Sequence, residues 1–84
     1  MSELLPMELQ LFAVVLAEEL SVSAAAKRLV TSPAILIARI GQITTRLECS
    51  LFRREGDRVE VTEDGRVLID AFRAFLAQRG KLPD

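Results

Sequence analysis

Seven basic side chains fall within one third of the chain: Lys27, Arg28, Arg39, Arg46, Arg53, Arg54 and Arg58, with only Glu48, Glu55 and Asp57 among them. Guanidinium and ammonium groups gathered in this way suit the pairing of phosphates along a nucleic-acid backbone. The remainder runs the other way. Met1 to Ala26 holds four acids (Glu3, Glu8, Glu18, Glu19) and no base, Val59 to Asp84 holds five acids and four bases, and the net charge is −1. A nucleic-acid surface needs a local basic footprint more than a basic whole. The plainer alternative is that these side chains form an ordinary solvated surface.

Other chemistries find little to work with. The sequence has no His, Trp or Tyr, which removes the usual general base and the usual zinc-ligand pairs. The carboxylate pairs Glu18-Glu19 and Glu63-Asp64 fall at helix ends with no nucleophile beside them, and the four glycines lack phosphate-loop spacing. Cys49, the single cysteine, excludes an internal disulfide, suits a reducing cytosol and reads as a small core residue. No enzyme, metal or cofactor is expected. The chain has 84 residues, 50% apolar and 27% charged, which bounds it to one small globular domain. Its apolar runs are too short to cross a bilayer.

The elements that must position the basic residues can be read from caps and spacing. After a lead-in from Met1 to Leu5, Pro6 opens a helix whose stripe is Leu9, Phe12, Ala13, Leu16 and Leu20. Ser21 and Ser23 are alternative caps for a short second helix, Ala24 to Val30. Ser32 and Pro33 are a cap and first-turn pair for a third helix reaching Leu47, with Leu36, Ile40, Ile43 and Leu47 inward. Ala34, Ile37, Ala38, Gly41 and Thr45 face outward, small enough to let something large come close. A short helix, a tight turn and a longer helix make a helix-turn-helix.

Leu51 to Arg54 and Arg58 to Val61 read as two strands around a hairpin at Gly56. Thr62 caps a last helix, with Glu63 and Asp64 in its first turn and Gly80 near its end; Val67, Leu68, Ala71, Phe72, Phe75 and Leu76 lie on one side. The expected fold is mainly α with a small β-hairpin: a winged helix-turn-helix over 1–61, a linker or dimerisation helix over 62–80 and a tail over 81–84.

Four stretches in this order, Ser21-Val22-Ser23-Ala24-Ala25-Ala26-Lys27-Arg28-Leu29, Ser32-Pro33-Ala34, Leu51-Phe52-Arg53-Arg54 and Arg58-Val59-Glu60-Val61-Thr62-Glu63-Asp64-Gly65, resemble the winged helix-turn-helix DNA-binding domain of LysR-type transcriptional regulators. The likeness covers roughly residues 9 to 78. It implies a bacterial, cytoplasmic regulator that binds double-stranded DNA and pairs as a homodimer through its last helix, at Leu68, Phe72, Phe75 and Leu76. It further implies that Ser32, Pro33, Ala34, Ile37, Ala38 and Arg39 enter the major groove. Arg53, Arg54 and Arg58 serve the wing, with Arg58 along the minor groove. In the family a larger effector-binding domain normally follows, so the expectation is either a dissected fragment or a stand-alone relative.

Two departures from the family pattern matter. Leu20 stands where a glycine is common. Ile37 and Ala38 replace the usual Ser followed by Arg or Lys, so two hydrogen-bonding side chains give way to two that form none. Arg39 is a candidate substitute one position along. The alternative is a winged helix that has lost DNA binding and pairs with another regulator protein through this apolar face or through the last helix.

Overall fold

The computed structural model describes residues 5–82, so the lead-in from Met1 to Leu4 and the tail residues Pro83 and Asp84 lie outside the described residues. Four helices and one antiparallel hairpin follow in the order α1 (Met7–Glu19), α2 (Val22–Arg28), α3 (Pro33–Leu47), β1 (Phe52–Glu55), β2 (Arg58–Val61) and α4 (Glu63–Gln78). This is the winged helix-turn-helix expected from the sequence.

α1 is the central post. Leu9, Phe12, Ala13, Val14, Val15 and Leu16 are all buried, so the helix is covered on more than one side. One cluster joins Leu9, Ala13 and Val14 to Ile43, Leu51, Ile69, Phe72 and Leu76; the other joins Phe12, Val15 and Leu16 to Val22, Ala25, Ala26, Leu36 and Val59. Leu5 belongs to the first cluster, and buried Gln10 donates from Nε2 to its carbonyl at 2.8 Å. The end of the lead-in is therefore pinned into the core, and Leu82 packs back against the same cluster from the other terminus.

Leu20 is not part of the α1 stripe. It terminates the helix in the left-handed region (φ 57°) and is exposed, its N–H donating to the Leu16 carbonyl. A branched side chain in this conformation costs on the order of 1–2 kcal/mol, which explains why a glycine suits the position. The second helix starts earlier than expected because Ser21, not Ser23, is its cap, accepting from the Ala24 N–H at 3.2 Å. It closes with the Thr31 N–H on the Ala26 carbonyl and the Val30 N–H on that of Lys27. Those two bonds form a Schellman turn with Val30 at the left-handed position that usually goes to glycine.

α3 and the hairpin follow the sequence closely. Ser32 Oγ accepts from the Ile35 N–H at 3.2 Å, Pro33 occupies the first turn, and Leu36 and Ile43 are fully buried. β1 and β2 pair from Phe52↔Val61 to Glu55↔Arg58, leaving a two-residue loop with Gly56 at φ 62°. The wing also has a third edge. The Val22 N–H donates to the Asp57 carbonyl, the Val59 N–H donates to that of Leu20, and Ser21 bridges Arg58.

α4 is seated on the backbone that precedes the wing. Thr62 Oγ1 donates to the Ser50 carbonyl at 2.7 Å and accepts from the Gly65 N–H at 2.9 Å. Gly65 lies so close to the Leu51 carbonyl that any added Cβ would collide with it. From there the helix runs along α1 with Ile69, Phe72 and Leu76 buried. This corrects the expectation for two of the four dimerisation residues: Phe72 and Leu76 belong to the chain's own core. Leu68 and Phe75 are half-buried at its margin. α4 thus shares a core with α1, although the segment 62–80 that contains it reads as a separate unit in the sequence.

Candidate nucleic-acid interface

The side chains expected to meet DNA divide into three groups. Ser32, Pro33, Ala34, Ile37 and Ala38 are all exposed on α3, as the outward spacing predicts. Gly41, Gln42 and Thr45 extend the same face, and Arg46 stands at its far end beside Ala38 and Gln42. The Ser32 hydroxyl oxygen is engaged as a cap, but its proton remains free to donate outward. Ile35 and Ile37 are 46% and 39% exposed, a large apolar area for an open surface.

Arg39 behaves differently. It lies on the flank between the outward face and the buried stripe. Its Nε approaches Glu8 Oε1 of α1 at 3.8 Å and is buried without a hydrogen bond. The expected substitute for the missing base is therefore turned towards α1, because one position along an α-helix rotates a side chain by roughly 100°.

The wing supplies the third group. Arg54 lines a groove of about 200 Å³ between wing and recognition helix, together with Ile37, Ile40, Gly41 and Phe52. Arg53 sits one residue away on the alternating strand and pairs with Glu60 of β2 at 3.3 Å, matching their cross-strand register. Arg58 is exposed and forms no ion pair among the described residues. Asp57, at the tip, is tied to the start of α2. Its carboxylate accepts from the Ser21 hydroxyl at 2.6 Å, the Ser23 N–H at 2.8 Å and the Ser23 hydroxyl at 2.9 Å. These bonds, with that of the Ser21 hydroxyl foremost, hold the Asp57 carboxyl below its ordinary pKa.

Folding also redistributes the charge seen in the sequence. Glu18 and Glu19 of the acidic first third reach Arg28 at 2.7 and 3.0 Å, and Glu8 reaches Arg39. The basic middle third is thereby partly neutralised, leaving Lys27, Arg46 and Arg58 without ion pairs among the described residues, and Arg54 next to the α3 face. Sequence reasoning missed the Asp57 latch and the exposure of Val30. That residue is 91% exposed at φ 56° in the turn that leads into α3. Asp57 had a signal, since a hairpin-tip carboxylate can cap a neighbouring helix; a valine carries no turn signal at all.

A short helix held by a tight turn against a longer one, with an outward face left open beside a hairpin, defines a winged helix-turn-helix. The family model described as bacterial regulatory helix-turn-helix protein, lysR family, matches residues 7–66, and the chain belongs to that family. No curated protein matches it by sequence. Among solved structures it is similar to the CbnR DNA-binding domain in a complex with DNA, with 23% identity and a TM-score of 0.87 over 92% of this chain and 88% of that one. It is likewise similar to the BenM DNA-binding domain complexed with catB site 1 DNA (21% identity, TM-score 0.86, 92% and 86% covered). Full-length OxyR C199D from Pseudomonas aeruginosa matches with 22% identity and a TM-score of 0.86, over 92% of this chain but only 26% of that one. The chain therefore spans about a quarter of that full-length regulator and most of the isolated DNA-binding domains.

Proposed function

We propose that the chain binds double-stranded DNA in a sequence-specific way as the DNA-binding part of a cytoplasmic transcriptional regulator, acting as a homodimer. One observation carries most of this. The outward face of α3 stands clear of both core clusters, bordered by the wing, in the arrangement that lets a helix enter a major groove. Arg54, Arg58, Lys27 and Arg46 are the phosphate partners, with Arg53 weakened for that role by Glu60. Dimer contact falls to the outer side of α4, where Val67 is 70% exposed and Leu68, Ala71 and Phe75 adjoin it, rather than to Phe72 and Leu76.

The test is a titration of random-sequence duplex DNA at several salt concentrations. Affinity should fall steeply as salt rises. Arg58→Ala should weaken binding by about 1 kcal/mol whatever the sequence and lower the salt slope by about one. A chain that ignores duplex DNA at every salt concentration would instead be the protein-pairing relative that the apolar face also suits.

A further inference from the structure

We infer that the stretch of the recognition helix from Pro33 to Gly41 selects DNA by the C5-methyl groups of its pyrimidines, so that the bases beneath it are read as thymines in the major groove rather than by hydrogen-bonded edges. The inference rests on the DNA-binding reading and deepens it. From Pro33 to Gly41, the exposed residues of α3 are Pro33, Ala34, Ile35, Ile37, Ala38 and Gly41. None has a side-chain donor or acceptor. Arg39, the one polar side chain in that span, is turned towards Glu8. The exposed side chains of this stretch therefore cannot read N7, O6, N6 or N4 by hydrogen bonds.

One feature of the major groove is still legible to such a surface. Thymine presents a methyl group where cytosine presents a hydrogen, and apolar side chains distinguish the two by contact alone. Ile37 and Ala38 offer methyl and methylene surface at the middle of the face. Ala34 and Gly41 keep the neighbouring positions shallow enough for close approach.

The surroundings match a polyanion rather than an apolar protein partner. Arg54 borders the same groove as Ile37 and Gly41, and Arg46 borders Ala38 and Gln42, so cations stand on two edges of the apolar patch. Neither forms an ion pair among the described residues. A patch of methyl-sized residues framed by cations is complementary to a groove floored with methyl groups and walled with phosphates.

The test uses the whole chain and duplexes that differ only at C5. Alternating dA-dT and alternating dA-dU duplexes of one length carry the same charge and hydrogen-bonding groups, and only the first has methyl groups. Alternating dG-dC duplexes with and without 5-methylcytosine restore the same methyl in a G·C context. Binding to the dA-dT duplex should exceed binding to the dA-dU duplex by about fourfold for each methyl group covered. The methylated dG-dC duplex should gain over its unmethylated form. Ile37→Ser should shrink the dT-to-dU ratio, whereas Arg54→Ala should weaken both duplexes alike. Salt-sensitive binding with equal affinity for dT and dU duplexes would overturn the methyl readout and leave DNA binding standing. Absence of binding to all four duplexes at low salt would overturn DNA binding itself, and the methyl readout with it.

Discussion

α3 and α4 are nearly equal in length, 15 and 16 residues, and each opens on a hydroxyl cap, Ser32 and Thr62. Each also carries apolar residues beyond a simple inward stripe. On α4 the large ones, Ile69, Phe72 and Leu76, are buried against α1, and of the large apolar residues on its outer side Val67 alone is strongly exposed. On α3 the stripe of Leu36 and Ile43 is equally buried, yet Ile35 and Ile37 remain open to solvent beside Ala34 and Ala38. Apolar surplus therefore has two different meanings in this small molecule. On α4 most of it builds the core that holds the fold together; on α3 it stays exposed to solvent.

The largest effect should come from charging the α4 stripe. Phe72→Glu with Leu76→Glu places two carboxylates in the first core cluster, at an expected cost of about 4 kcal/mol or more, comparable with the whole stability of a domain this size. Far-UV circular dichroism should show an unfolded chain. A folded helical monomer would instead return these two residues to a dimer surface and erase the contrast with α3.

A smaller, pH-dependent effect should come from the latch that fixes the wing beside α3. Hydrogen bonds from Ser21 and Ser23 lower the Asp57 pKa in the folded state. A carboxyl with a depressed folded pKa contributes stability that is complete above its unfolded value and disappears as pH falls through the folded value. Asp57→Asn should therefore melt at a lower temperature than the parent at neutral pH, and the two melting curves should converge in acid. A difference that persists unchanged into acid would show that the carboxylate charge contributes nothing to the latch.

The smallest effect on stability should come from the α3 face. Ile37→Ser with Ala38→Arg changes two exposed positions outside both core clusters, so stability should shift by no more than about 0.5 kcal/mol. Its affinity for random duplex DNA should rise, because a phosphate partner has been added. Unfolding of this variant would place the face in the core; DNA binding unchanged in both affinity and salt slope would remove α3 from the groove.

Much of the molecule was legible before any coordinates. The Ser32-Pro33 start, the Leu36-Ile40-Ile43-Leu47 stripe, the Gly56 hairpin and the Thr62 cap stand where the spacing put them. Even the open side of α3 followed from its periodicity. These features are local: a cap reaches three residues along the chain, a helix stripe repeats within four, and a two-residue turn specifies its own register.

What the sequence left undecided was which surfaces meet. The last helix showed an apolar side, but nothing in its own residues said whether α1 or a second subunit would cover it. The basic middle third gave no sign that Glu18, Glu19 and Glu8 would fold back onto Arg28 and Arg39. Asp57 likewise meets Ser21 from a position 36 residues away. Such partners depend on the path of the backbone between them, and one step of rotation along α3 was enough to take Arg39 off the face that its neighbours Ile37 and Ala38 occupy. Amino-acid order determined the elements and their exposed chemistry; the packing of α1 against both halves of the molecule decided which apolar faces and which charges were left exposed.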